Sequence, residues 1–580
     1  MVAILVPFVY VAVLSFSATP AMFRIDDPQE FQFVADAGSL SALLKADVFG
    51  LFRPVKNLLF LAYSKLAPFG LSWCHLVSVL IGCASFCPIL ALCRRILGSE
   101  DKALLAATIW LFAPTLVSSA AWLSCTNILV MAAFAAWAIA LHDSAWDGGR
   151  FRASRIPLAA TSMLVALFSY ECAIAVVPIV VLFDLCLRPG RVRTKRAMVA
   201  YALYAAAAIL YLVLRGSIGA TTAAAGYIVG TTRLQTVLSS PHFFVDHLLL
   251  WLWPFGRLFV LGSYQWGDVP AWRLALSWIL LAAAGGWCLR NRRRHAVLSF
   301  CLLFFLVGFA PTSNCLGLGN GPSCDCYVAL ASIGLAAGFS EIVFSLLPGS
   351  GGKSSALAAI ALAMLATRAA AAVETAFWAR AWSSGESVLS QSVRNRPEFF
   401  PNKLVLASEL AANGNYREAL KLCEEIEGTI DGELPHFANV HAIRGLYELN
   451  ETKNAERALR MFDECHRIDA TVFADGNWHY HRGRVFEDLE GNLDEAEREY
   501  ALAAFGEHAN LAASARLGRL RGMRGDYAGA IALLETVVRA QPNNETALWN
   551  LGIAYRKAGD EATARKWLVR ARKISSSSED

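Results

Sequence analysis

Long uninterrupted apolar runs fill the first two-thirds of the chain, and short amphipathic stretches fill the rest. A helix of ~20 apolar residues spans a hydrocarbon core of ~30 Å. Runs close to this length predict about eleven membrane helices. They lie near residues 2–22, 71–93, 103–118, 121–141, 156–170, 171–187, 197–215, 271–289, 296–311, 327–347 and 354–373. The segments 156–170 and 171–187 also fit a single bent element.

Composition and charge divide the chain at about the same place. The mean hydropathy is +0.44 and 56% of the residues are hydrophobic, which exceeds the usual share in soluble chains. Residues 1–373 carry 26 Lys and Arg against 15 Asp and Glu, whereas the remainder carries 26 against 32. We therefore expect an all-α chain with a polytopic membrane domain over 1–375, a connecting helix over 376–397, a repeat array over 398–576 and a polar tail over 577–580.

Basic residues concentrate in alternate loops between the apolar runs, at 94–95, 150–155, 188–196 and 290–294. Cytoplasmic loops carry such an excess, so the N-terminus is predicted inside and the repeat array outside. The apolar run 247–262 contains Pro254 and Gly256, and we interpret it as re-entrant or interfacial. The composition favours a bacterial inner membrane with a periplasmic array. An endoplasmic reticulum membrane with a lumenal array is the alternative, because Asn450 and Asn544 begin glycosylation sequons.

The C-terminal part repeats itself. Each of the stretches GNYREAL, KNAERAL, GNLDEAE, GDYAGAI and GDEATAR places an alanine five residues after its first residue, which is Gly in four cases and Lys453 in one. The marker alanines are spaced by 39, 38, 34 and 34 residues. A period of 34 with small residues between paired helices is the tetratricopeptide signature. About five such units form a solenoid with a concave face, which we expect to bind a polypeptide.

The segment 23–70 follows the first apolar run and is too long for a simple connection. It begins FRIDDPQEF, which places Asp26 and Asp27 side by side, and it continues into an amphipathic stretch after Arg53 and Pro54. Carboxylates at a membrane boundary mark a functional site. They serve as general bases or hold a divalent cation beside a phosphate. Capping of a helix or a turn at Pro28 is the structural alternative for either Asp.

Several segments come in an order that resembles a known family: DDPQEF, ADVFGLFRPV, HLVSVLIG, APTLVSSAAWLSC, SYECAIAVVPIVVLFDL, LLLWLWPFGRLF and PTSNCLGLG. Together with the C-terminal array, they resemble the transmembrane and tetratricopeptide repeat-containing O-mannosyltransferases of the GT-C superfamily and their bacterial relatives. The resemblance covers nearly the whole chain. It implies a glycosyltransferase that faces the exoplasmic side, takes a polyprenyl- or dolichyl-phosphate sugar as donor (mannose in that family) and modifies a polypeptide acceptor.

The resemblance also assigns roles to residues of this chain. The catalytic base falls on Asp26 or Asp27, with Asp47 and Glu171 as supporting acids. The donor phosphate is expected at Arg53, Lys56 and Arg257, because Arg grips phosphate oxygens in bidentate fashion. Beyond the donor no cofactor is predicted with certainty, and a divalent cation is left open.

Some positions depart from the family pattern. Tyr170 stands where the family has Lys, Gly82 stands where it has His, and Cys324-Asp325-Cys326-Tyr327 replaces an Ala-Glu-Arg-Tyr-like element. These losses keep open a second interpretation, a non-catalytic membrane-anchored scaffold for envelope or secretory proteins.

Three cysteines, Cys315, Cys324 and Cys326, share one predicted outer loop. One disulfide is expected among them in an oxidising compartment. The CDC sequence offers too few partners for zinc, so no protein metal site is predicted.

Overall fold

The computed structural model describes residues 2–17, 27–37, 39–47, 50–147, 151–218, 232–260, 269–313, 324–347, 355–428, 437–469, 475–505 and 510–577. The described residues are 84% helical, and no strand occurs among them. The predicted all-α class is confirmed. Two compact units divide the chain, Met1–Val405 and Leu406–Asp580, whereas the sequence places the start of the repeat array at residue 398.

The first unit contains apolar helices joined by short turns and 3₁₀ helices. In chain order its helices are α1 Val2–Ser17, α2 Asp27–Asp36, α3 Leu40–Leu43, α4 Pro54–Leu66, α5 Leu71–Leu97, α6 Glu100–Leu111, α7 Val117–Ala121, α8 Thr126–Ser144, α9 Arg155–Ser169, α10 Val176–Leu187, α11 Lys195–Ser217, α12 Arg233–Leu252, α13 Ala271–Asn291, α14 Ala296–Phe309, α15 Ser332–Leu346, α16 Ser355–Ala381 and α17 Gly385–Asn395.

Five helical segments of the described chain are long and apolar enough to cross a membrane: Leu71–Leu97, Leu123–Ser144, Lys195–Ser217, Ala271–Asn291 and Ala356–Ala381. A sixth arises if Glu100–Leu111 and Pro114–Ala121, which bend by 54°, form one broken span. Four shorter apolar helices are Leu5–Leu14, Arg155–Ser169, Ala296–Thr312 and Ser332–Leu346. The structure therefore supports a protein with several membrane helices, and the count of about eleven stays a prediction.

The long helices differ in how much of their surface the protein covers. The apolar window of Leu123–Ser144 is 78% buried, whereas that of Ala271–Asn291 is only 11% buried. The exposed side chains of α13 include Trp272, Ile279 and Leu289. An exposed apolar face of this size is unfavourable in water but favourable in contact with lipid. α13 is therefore typical of a helix at the rim of a membrane domain.

Two predicted segments contain a helix break. The run 156–187 forms two helices, because Tyr170 is extended at φ −158° and ψ 127° and a 3₁₀ helix, Glu171–Ala175, follows it. The run 247–262 begins inside α12, which ends at Leu252, and then enters the turn that contains Pro254 and Gly256. In both cases the break places polar backbone groups at the end of an apolar helix.

The second unit contains the repeats, whose first helix begins just before the boundary. Five antiparallel pairs are present: α18 Phe400–Ala412 with α19 Tyr416–Glu427, α20 Phe437–Tyr447 with α21 Ala455–Ile468, α22 Asp475–Asp488 with α23 Leu493–Phe505, α24 Leu511–Met523 with α25 Tyr527–Ala540, and α26 Glu545–Lys557 with α27 Glu561–Ser577. The marker alanines are all completely buried: Ala419, Ala458, Ala496, Ala530 and Ala564. The predicted tetratricopeptide repeats are confirmed, whereas the bounds 398–576 and the count of about five units stay predictions.

The repeat motif has a backbone cause. Each first residue of the motif ends the first helix of a pair with a positive φ: Gly414, Lys453, Gly491, Gly525 and Gly559. Glycine adopts this conformation without strain, whereas an L-residue with a Cβ pays about 1–2 kcal/mol. Lys453, with φ 57°, is the one non-glycine residue with positive φ in the described ranges. The second repeat therefore carries local strain that the others avoid.

We predict that Lys453→Gly stabilises the second repeat by about 0.5–1 kcal/mol, after the larger entropy of glycine in the unfolded chain is subtracted. Hydrogen exchange of the α20 and α21 amides in the full chain measures this as a slowing of roughly two- to fivefold.

The control is Gly525→Ala, which meets no neighbouring atom within 4 Å and therefore tests the backbone term alone. It should speed exchange in α24 and α25. Equal exchange in Lys453→Gly and the wild-type chain would show that Lys453 is not strained.

Candidate functional site

The segment 23–70, which we call the acidic segment, forms short helices in its described part, and these pack on the membrane helices. Proline at the first position of α4 suits a helix start, and the Asn57 side-chain amide donates to the Leu43 carbonyl over 2.8 Å. The rings of Phe31 on α2 and Phe60 on α4 meet edge to face at 5.2 Å. This packing turns the polar face of α2 toward the start of α4.

Asp27 is the first residue of α2, and its carboxylate is completely buried. Its Oδ1 accepts hydrogen bonds from the Ser124 amide at 3.0 Å and from the Ser124 hydroxyl at 2.7 Å. Ser124 lies in a 3₁₀ helix, Leu123–Cys125, directly before α8. The carboxylate is thus fixed in one orientation by the turn between two membrane segments.

Glu30 lies one helical turn after Asp27 and is also completely buried. The Lys56 ammonium lies 2.5 Å from Glu30 Oε1 and 3.6 Å from Asp47 Oδ2. The other oxygen of Asp47 accepts from the Leu51 amide at 2.8 Å, and the Asp47 amide donates to the Leu51 carbonyl at 2.7 Å. Asp47 therefore both closes the turn before α4 and helps to hold Lys56.

Arg53 and Glu171 form a bidentate ion pair. Arg53 Nε lies 2.9 Å from Glu171 Oε2, and Nη2 lies 2.7 Å from Oε1. The guanidinium stacks 4.2 Å above the centre of the Tyr170 ring. Burial alone lowers the pKa of Arg53, but the Glu171 carboxylate outweighs this and raises the pKa well above its ordinary value.

Arg215 near the end of α11 brings a third buried base close to Glu171. Its neighbour Tyr211, one turn earlier, donates its hydroxyl to the Phe52 carbonyl at 3.3 Å. The extended backbone at Tyr170 places Glu171 just after α9, where Arg53 pairs with it and the charge of Arg215 acts on it. α11 thus joins the acidic segment and α9 at one place.

Lys56 pairs with Glu30 and Asp47, and Arg53 pairs with Glu171. Asp27 lies one turn before Glu30, and the charge of Arg215 acts on Glu171. We call these seven residues the ionic cluster. Lys56 and Arg53 are three residues apart at the start of α4, so the pair with Glu30 and the pair with Glu171 lie on neighbouring positions of one helical turn. All its members are 5% exposed or less. It comprises four acidic and three basic side chains, namely Asp27, Glu30, Asp47, Glu171, Lys56, Arg53 and Arg215.

Two predicted site residues are not part of the described cluster. Asp26 lies outside the described residues. Arg257 lies in the turn after α12, where its carbonyl accepts from Arg396 Nε at 3.3 Å. Arg396 also pairs with Asp246 at 3.1 Å. Among the described contacts, none joins the Arg257 side chain to the ionic cluster, so the structure gives no geometric support for its predicted phosphate role.

Asp325 is a further buried acid outside the ionic cluster, and it was not predicted as a site residue. The Ser118 hydroxyl donates to its Oδ1 at 2.5 Å and the Trp378 indole donates to its Oδ2 at 3.1 Å. Burial raises the pKa of Asp325 to about 8. The Tyr327 ring, two residues further on, lies 6.2 Å from the Tyr170 ring that carries Arg53. Asp325 is therefore close to the ionic cluster through a pair of aromatic rings.

Comparisons with known proteins give one family match and several structural similarities. The tetratricopeptide repeat family matches residues 516–579, which cover most of the last two helix pairs. No sequence match was found among curated proteins.

Three solved structures are similar to parts of the chain. YrrB, described as a TPR protein with an unusual peptide-binding site, shares 19% identity over 33% of this chain and 93% of its own, with a TM-score of 0.23. The Archaeoglobus fulgidus oligosaccharyltransferase in the apo form shares 12% identity over 66% of this chain and 56% of its own, with a TM-score of 0.39. AglB of the same organism, in complex with an inhibitory peptide and a dolichol-phosphate, shares 11% identity over 86% of this chain and 72% of its own, with a TM-score of 0.37.

The ionic cluster has the components of a site for an anionic substrate and an acid–base reaction. Asp27 is held through one carboxylate oxygen by Ser124, which fixes the orientation of its carboxylate. Arg53 and Lys56 supply positive charge within the same cluster, but each is paired with a carboxylate. A bound phosphate would therefore share or replace these carboxylates.

We predict that Glu171→Gln destabilises the protein by about 3–5 kcal/mol, because it leaves the buried guanidinium of Arg53 without its carboxylate. Thermal unfolding of the purified full chain, followed by tryptophan fluorescence, measures this loss. A double variant, Arg53→Met with Glu171→Leu, should recover most of it, since no unpaired charge stays buried.

The matched control is Glu464→Gln in the repeat array. Its partner Arg467 is 2.6 Å away, but the two side chains are 36% and 57% exposed. Exposed pairs contribute about 0–1 kcal/mol. If Glu171→Gln costs no more than Glu464→Gln, the pair with Arg53 does not stabilise the cluster as described.

Proposed function

We propose that this protein is a membrane glycosyltransferase that faces the exoplasmic side and takes a polyprenyl- or dolichyl-phosphate sugar as donor. The observation that carries the proposal is the position of Asp27. Its buried carboxylate is oriented by Ser124 over 2.7 Å, and it lies one turn from Glu30, which contacts Lys56 at 2.5 Å. The GT-C resemblance assigns the base to Asp26 or Asp27, and this geometry supports the part that involves Asp27.

In the proposed reaction Asp27 accepts the proton of an acceptor hydroxyl or amide as that group attacks the anomeric carbon of the sugar. The bond from the anomeric carbon to the phosphate oxygen breaks, and the polyprenyl phosphate leaves as an anion. The positive charges of Arg53, Lys56 and Arg215 would stabilise this anion electrostatically. Glu171 would hold Arg53 in place, and Asp47 would hold Lys56 in place, before the donor binds.

The repeat array would present the acceptor. Its five helix pairs form a continuous set of packed layers, in which Gly445, Gly483, Gly518 and Gly552 let the second helix of each pair approach closely. Such arrays offer a concave surface to polypeptides. We therefore propose a polypeptide acceptor, with mannose as the sugar that the family resemblance favours.

We predict that Asp27→Asn lowers sugar transfer about 10²–10⁴-fold, because the amide cannot accept the proton. The measurement follows radiolabelled mannose from polyprenyl-phosphate mannose into protein in membranes that contain the full chain. Thermal unfolding confirms that the variant is folded.

Asp36→Asn is the matched control, because it makes the same change at the exposed end of α2, where Asp36 accepts only from Gln32 at 2.8 Å among the described contacts. It should retain wild-type transfer. Undiminished transfer by a folded Asp27→Asn variant would remove Asp27 from the reaction.

A second function is favoured by one observation. Asp27, Arg53 and Lys56 are all nearly inaccessible, and each contacts protein partners, as structural ion pairs do. We propose, as the alternative, a non-catalytic scaffold whose array recruits envelope or secretory proteins. Binding of polyprenyl-phosphate mannose to the purified chain separates the two: saturable binding supports the transferase, and no binding by a folded chain supports the scaffold.

A further inference from the structure

Two thiols and one carboxylate meet beside the ionic cluster, and a third thiol lies next to them. The Cys324 and Cys326 thiols lie 2.9 Å apart, and the Cys324 thiol lies 3.7 Å from Asp325 Oδ1. The ligand atoms of these three residues all lie within 4.8 Å of one another. The Cys125 thiol, from the turn before α8, acts on Cys326 but lies outside this group of three. We call these four residues the thiol cluster.

The thiol cluster is buried and braced from outside. Cys326 and Asp325 are completely buried, Cys324 is 2% exposed and Cys125 is 9% exposed. Ser118 and Trp378 donate to the two carboxylate oxygens of Asp325. Such outer partners orient metal-ligating carboxylates in known sites.

We propose that the thiol cluster is a binding site for a thiophilic d¹⁰ cation, with Zn²⁺ as the ion that the donor set fits best. Cys324, Asp325 and Cys326 provide three ligands, and a shift of Cys125 toward them would complete the four ligands of a closed tetrahedral site. Zn–S bonds of about 2.3 Å place tetrahedral sulfur atoms about 3.8 Å apart. Binding therefore widens the separation of Cys324 and Cys326 from 2.9 Å and releases the thiol protons to solvent.

A disulfide explains less of the arrangement. Cys324 and Cys326 are free thiols, and the expected partner Cys315 lies outside the described residues. A bond between any two of the three thiols leaves the third thiol and the oriented carboxylate without a role, whereas one cation uses all four groups. This set could not be predicted from the sequence, because Cys125 is distant from the CDC motif along the chain.

The site does not depend on the proposed glycosyl transfer. Its effect on the structure is to fasten the 3₁₀ helix Asp325–Val328 to the 3₁₀ helix Leu123–Cys125. The second of these carries Ser124, which holds Asp27. A bound cation would therefore stiffen the turn that orients the Asp27 carboxylate.

The test is metal binding by the purified full chain, reduced and freed of metal in detergent. Titration with Co²⁺ should give the visible bands of a tetrahedral ion and a thiolate-to-cobalt charge-transfer band, and Zn²⁺ should then displace it at one ion per chain by elemental analysis. Cys125→Ser should lower the charge-transfer intensity by about a third and the affinity roughly tenfold or more. Cys93→Ser, a buried thiol of α5 outside the cluster, should change neither.

Three results would overturn the proposal. One is wild-type protein that binds less than stoichiometric Co²⁺ and Zn²⁺ while it stays folded. Another is an equal loss on Cys93→Ser and Cys125→Ser. The third is a disulfide that joins two cluster cysteines in protein isolated with its thiols alkylated. The wild-type Co²⁺ spectrum counts the thiolates by itself, so the test stands even if a cysteine variant fails to fold.

Discussion

The membrane unit depends on the pairing of buried charges. Moving an ion out of water costs several kcal/mol, and the cost is recovered only where an opposite charge and further hydrogen bonds are close. Arg53 meets this condition through both oxygens of Glu171, and Lys56 meets it through Glu30 and Asp47. Because these partners come from the acidic segment and from α9, the ion pairs decide how that segment packs against the membrane helices.

The same constraint explains why the site is built from irregular backbone. A regular helix satisfies its own peptide groups, whereas the 3₁₀ helices at Leu123–Cys125 and Glu171–Ala175 leave amides and side chains directed at neighbours. Ser124 uses its amide and hydroxyl on Asp27. Non-helical backbone at membrane depth is tolerated where protein buries it, so residues of the candidate site collect at these breaks.

Much of the architecture was predictable because it follows from local periodicity. The marker alanines required small residues between paired helices, and the five pairs are present with every marker alanine buried. The positive φ at the motif glycines explains the pattern, and Lys453 shows that the fold tolerates one exception. The number of membrane spans followed less well, since α9, α14 and α15 are shorter than a full span and their apolar runs do not reveal where helices break.

The candidate site was predictable in part. Position directly after the first apolar run singled out Asp26 and Asp27 as a pair, and charge singled out Arg53. Sequence alone did not reveal that Arg53 pairs with Glu171, which is distant along the chain, or that Ser124 holds Asp27. It also missed Asp325 and Cys125 as neighbours, because contacts between loops of different helices leave no periodic signal. Arg257 was selected by charge, and its described contacts belong to a different set of residues.

The central claim is that the ionic cluster receives a lipid-borne phosphate beside Asp27. The most direct measurement is a cryo-electron microscopy map of the full chain in lipid nanodiscs with polyprenyl phosphate added. If the proposed function is correct, the map shows phosphate density in contact with Arg53, Lys56 or Arg215 and adjacent to the Asp27 carboxylate. A map in which the lipid phosphate binds elsewhere while the ionic cluster keeps all its protein pairs would contradict it.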